Sequence, residues 1–113
     1  MKKELGKINS VKIGLGGYND AMFGVTIGLE GKGWGVGDFI SGGWDINIID
    51  RYPDCKWTES DRDKMQSDMI KKISNLLAQA RVKNLEELKG KPVEVFFDEN
   101  NTLKEWKILT EVL

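Results

Sequence analysis

In residues 7–15, KINSVKIGL, apolar positions fall at Ile8 and then at Val11, Ile13 and Leu15. From position 11 the period is two, which predicts a strand with Ile8 on one side and the later three on the other. GGYND (16–20) is a turn by composition: Gly supplies positive φ, and Asn and Asp bond to nearby backbone. AMFGVTIGLEG (21–31) predicts a second strand, with Phe23, Val25, Ile27 and Leu29 on one face. Met22, Gly24, Thr26, Gly28 and Glu30 take the other face. GKGWGVGDFI (31–40) alternates as strictly and predicts a third strand. Gly31, Gly33, Gly35 and Gly37 leave one of its faces bare, and Trp34, Val36 and Asp38 project from the other. Three strands joined by short turns make an antiparallel meander.

Residues 41–57, SGGWDINIIDRYPDCKW, keep no period and read as a long excursion with a short strand at 46–49. A loop this long in a compact domain more often serves function than not. A helix is predicted over 59–81. Thr58 is its N-cap, Asp61 stands at N3, and Met65, Met69, Ile73, Leu76, Leu77 and Ala80 form one apolar stripe. NLEELKGKP (84–92) predicts a short second helix capped by Asn84, with Glu87 at N3 and Gly90 and Pro92 stopping it. The rest is a hairpin: Val93, Val95 and Phe97 alternate, DENN turns, and Trp106, Ile108 and Val112 face the same core. The order β-β-β-α-α-β-β over residues 1–113 predicts one α+β domain. Its antiparallel sheet has about five strands, with one long and one short helix packed on it.

Composition narrows the chemistry. With 40% apolar and 31% charged residues the chain is of ordinary globular type. Its apolar runs fall far short of a membrane span, and MKKELGKINS lacks the apolar core of a secretory signal, so a cytoplasmic location is expected. Cys55 is the only cysteine and there is no histidine. Their absence removes Ser-His-Asp and Cys-His catalysis, Cys-rich zinc sites and the usual neutral-pH proton shuttle. An enzyme would have to use carboxylates, Lys, Tyr or magnesium. The chain is therefore expected to be non-enzymatic, with no catalytic residue, cofactor or metal site. The 17 basic and 18 acidic residues are interleaved, which argues against duplex nucleic acid as a partner but leaves room for a pocket holding one nucleotide.

The bare glycine face has two readings. Glycine in a strand lets another element approach closely, or it leaves a flat platform for a ligand ring or a partner strand. GLGGYND is not a dinucleotide fingerprint, because Asn19 stands where the third glycine belongs, and no Walker loop occurs. The turn can still present Tyr18, Asn19 and Asp20 to a small ligand. Trp34, Trp44, Trp57 and Trp106 either complete a small core or, for Trp44 with Arg51 and Tyr52, form a recognition surface. Asp38, Asp45, Asp50 and Asp54 read as solvated acids, with a magnesium site or an acid–base pair as the alternative; their spacing is not that of an EF-hand.

The pattern GGYNDAMFGVTIGL…GWGVGDF…GGW, then WTESDR, then GKPVEVFF…NTLKEWKILTEVL, resembles a family of small proteins encoded by phages and prophages. The resemblance spans nearly the whole chain. It implies an accessory protein of the host cytoplasm that acts by stoichiometric binding against host defence. Its partner would be an immune effector such as a CRISPR protein, or a small nucleotide immune signal that it sequesters. A homo-oligomer is expected. The contact residues would lie among Tyr18, Asn19, Asp20, Trp34, Asp38, Trp44, Arg51 and Tyr52. The alternative is an accessory protein of phage replication or recombination that binds single-stranded nucleic acid.

Overall fold

The computed structural model describes residues 2–17, 20–45 and 58–113. Five strands form one antiparallel sheet: β1 (Lys2–Gly16), β2 (Met22–Gly31), β3 (Trp34–Trp44), β4 (Pro92–Phe97) and β5 (Leu103–Ile108). The helix α1 (Glu59–Ala80) comes between β3 and β4 in the chain. The protein is an α+β fold with the spatial order β3-β2-β1-β4-β5. The meander β1-β2-β3, with β4 returning beside β1, is a Greek key.

Alternation sorts the side chains cleanly. Ile8, Val25, Ile27, Leu29, Ile40, Val93, Val95, Phe97 and Ile108 point to one inner face and are buried there with Met69 and Ala80 of α1. Each large apolar side chain so buried contributes about 1.5–3 kcal/mol. The two edge strands are at opposite ends of the order, yet Trp106 Nε1 of β5 donates to Asp38 Oδ2 of β3 at 2.7 Å. The sheet is thus rolled into a partly open barrel around its core.

The helix follows from its local chemistry. Thr58 Oγ1 accepts from the Asp61 amide at 3.2 Å, and Asp61 Oδ2 accepts from the Thr58 amide at 3.1 Å, a complete capping box. The exposed Lys64, Asp68, Lys71, Lys72 and Gln79 lie off the inward stripe. Thr58→Ala is expected to lower stability by about 1 kcal/mol, read as a shift in the urea midpoint at unchanged m-value. An unchanged midpoint would mean that the cap contributes nothing.

Several boundaries differ from expectation. Gly31 ends β2 and pairs with Trp34, while Lys32 and Gly33 form a two-residue turn; Gly33 has φ +79°, a conformation open to glycine. One strict alternation therefore runs through a hairpin and across two strands. SGGW belongs to β3 rather than to the excursion. Residues 46–57, with the strand expected at 46–49, lie outside the described residues, as do Tyr18 and Asn19. β1 begins at Lys2, and a register shift between Ile8 and Ser10 brings Ile8 onto the same face as Val11, Ile13 and Leu15. The short second helix is one 3-10 turn, Leu85–Leu88, with Asn84 Oδ1 accepting from the Glu87 amide at 3.2 Å. Val112 sits in a terminal 3-10 turn and is exposed, not part of the core. Among the described residues no helix is long and apolar enough to cross a membrane.

Candidate ligand-binding face

Residues paired across an antiparallel ladder share a face, so the register fixes which side chains meet on the outside. Gly14, Gly24 and Ser41 form one row across β1, β2 and β3. Lys12, Thr26 and Phe39 form the next, followed by Ser10, Gly28 and Gly37, and then Lys7, Glu30 and Gly35. The bare positions of the second and third strands do fall together, with Gly28 directly opposite Gly37.

The glycines serve different ends. A Cβ at Gly24 or Gly16 would meet the Phe39 ring at 2.8 or 3.0 Å, so those two let Phe39 lie down on the sheet. Gly28 makes way for the side chains of Asn9 and Ser10. Gly6 and Gly31 accommodate the Trp34 indole on the inner side. At Gly35 and Gly37 the nearest atoms to such a Cβ stand at 3.8 and 3.9 Å, so no neighbour demands glycine there. These two are exposed and leave the peptide planes of β3 uncovered.

The margins of this bare patch are polar and aromatic. Phe39 and Lys12 border it on one side. On the other, Glu30 accepts from Asn9 Nδ2 at 3.2 Å and pairs with Lys7 at 3.6 Å. Asn9 Oδ1 is buried beside Gly28 with no hydrogen-bond partner. The patch can receive a flat ring against peptide planes, with a cation at its rim.

The residues singled out in the sequence divide differently. Trp34 is on the inner face, edge-on to Phe97 with centroids 5.3 Å apart. Asp38 is also inward and holds Trp106. Trp44 is 1% exposed, and its carbonyl accepts from Arg62 Nε at 3.2 Å. Trp34 and Asp38 belong to the interior side of the sheet, whereas Trp44 is buried opposite Met22 at the end of β3, apart from the core cluster; none of the three is gathered with the open glycines. Asp20 turns the chain with φ 53°, its amide donating to Gly17 O at 3.3 Å. Tyr18, Asn19, Arg51 and Tyr52 fall outside the described residues. Lys12, Thr26 and Phe39 escaped notice because only the strand register brings them beside Gly28 and Gly37.

A second concavity of about 420 Å³ lies at the seam where β3, α1 and β5 meet, lined by Asp38, Lys72, Asn75, Gln79, Trp106 and others. Among the described residues no three potential metal ligands are grouped. No protein family, curated protein or solved structure matches the chain.

Proposed function

We propose that the chain is a non-enzymatic binding protein whose contact face is the outer surface of β1, β2 and β3, and that its ligand is a nucleotide. The observation that carries this is the exposed backbone of β3 at Gly35 and Gly37, where no neighbour fills the space of a side chain, with Phe39 and Lys12 in the adjoining row. A nucleobase fits against bare peptide planes beside an aromatic ring, and an ammonium at the rim suits its phosphate. The resemblance to phage and prophage proteins supplies the biological class: sequestration of a nucleotide signal of host defence, in the host cytoplasm.

A second reading is single-stranded nucleic acid. It is favoured by the partly open Greek-key barrel, because OB-folds of that architecture bind oligonucleotides across their second and third strands. This is an analogy of architecture, and the interleaved charge weighs against it.

Titration calorimetry with mononucleotides, cyclic dinucleotides and a short oligothymidylate separates the readings. Sequestration predicts nucleotide binding with little salt dependence, while a strand binder loses affinity steeply as salt rises. Gly37→Val adds a side chain where there is room and suits a strand, so melting should be unchanged. It covers the platform, and affinity should fall about tenfold or more, some 1.4 kcal/mol. Wild-type affinity in Gly37→Val, or no binding of any of these ligands by the wild type, would overturn the proposal.

A further inference from the structure

β1 is paired on both sides along only part of its length. It meets β4 from Lys2 to Lys7 and β2 from Gly6 to Gly16. Ile8 extends the β4 side by donating to Lys91 O at 3.0 Å and accepting from the Gly90 amide at 2.7 Å. From Asn9 to Gly16 the edge away from β2 has no backbone partner among the described residues.

Strand geometry ties the face of a side chain to the direction of its own N–H and C=O, both alternating with period two. Ile8 has its side chain inward and its backbone groups toward the β4 side. Val11, Ile13 and Leu15 share that face, so their N–H and C=O groups point to the same side, where no strand lies. Val11 is half-buried against the core, but the other two side chains are poorly covered: Ile13 is 60% and Leu15 55% exposed. A groove of about 510 Å³ adjoins them, between Val11 and Ile13 and the turn residues Asn84, Leu85 and Glu86. An open polar edge, an uncovered apolar stripe and adjoining space thus coincide on one segment. Unpaired edges of this kind are templates for another strand.

We infer that this edge pairs antiparallel with the same segment of a second copy, about a twofold axis through Ile13. The segment complements itself in that register. Ile13 opposes Ile13 of the second copy and Val11 opposes Leu15, so every outward-pointing N–H and C=O of the three residues finds its counterpart. Lys12, the only charge between Asn9 and Gly16, then opposes Gly14. An axis through Lys12 would set two ammonium groups against each other, which is unfavourable. The groove leaves room on the inner face for the incoming Val11 and Ile13.

Sedimentation equilibrium from micromolar to submillimolar concentration, with engineered cysteines in a Cys55→Ser background, tests the interface. The wild type is expected to dimerise, and Ile13→Lys to be monomeric with an unchanged melting temperature. Opposed residues of a hydrogen-bonded pair stand about 5.5 Å apart at Cα, within disulfide range. Under mild oxidation Ile13→Cys should therefore cross-link as a dimer and Lys12→Cys should not. If Ile13→Lys fails to fold, the cysteine variants decide. A wild-type monomer throughout, or a dimer in which Ile13→Cys does not cross-link, would overturn the inference. Preferential cross-linking of Lys12→Cys would overturn the register.

Discussion

Gly31→Val is expected to lower the free energy of unfolding by about 3 kcal/mol, among the largest losses available to a single change outside the cavity-forming ones. A Cβ at Gly31 would stand 2.5 Å from Trp34 Cζ2 and Nε1, and one at Gly6 would stand 2.9 Å from the far edge of the same ring. The indole cannot slide away, because Phe97 meets it edge-on on the inner face. Trp34→Leu in the same chain removes the obstacle, so the double variant should recover much of the loss caused by Gly31→Val alone. A urea-denaturation cycle over the four proteins measures the coupling. Strict additivity would mean that Gly31 is required for some reason other than the ring.

The seam of the barrel should be nearly as sensitive. Asp38→Ala leaves the Trp106 N–H without its acceptor at a half-buried position, and about 2 kcal/mol is expected to be lost. Trp106→Phe withdraws the donor while keeping an aromatic ring. Adding Asp38→Ala to Trp106→Phe should cost much less than it does alone, because no donor is left stranded. Calorimetric melting of the four proteins reads this directly. Equal losses from Asp38→Ala in both backgrounds would show that the two edges are held together by something other than this bond.

Much of the fold was legible. Period-two runs located β2 and β4, and the cap at Thr58 with its apolar stripe placed α1 to within a residue. The errors share a physical origin: composition and period report local geometry, and the missing information was about pairing. Gly31, Gly33, Gly35 and Gly37 look like one feature in the sequence. They are a seat for an indole, a turn residue and two open positions on a strand, which only the Gly31–Trp34 pairing separates. Ile8 and Val11 fell on opposite sides by counting because a bulge adds a residue without any compositional mark. The candidate face was half legible. Its glycines could be read, whereas Lys12 and Phe39 come to it from neighbouring strands.

The Greek key also has a consequence for synthesis. Lys7 pairs with Pro92, so the first half of β1 leaves the ribosome roughly 85 residues before its β4 partner, a wait of several seconds at ~5–20 residues per second. Through that interval β2 can already hold β1 from Gly6 onward, while Lys2–Leu5 waits with neither side paired. The apolar Leu5 there stands between Lys3 and Lys7. Lysines so placed act as gatekeepers, keeping a nascent strand from joining the wrong neighbour before the right one is made.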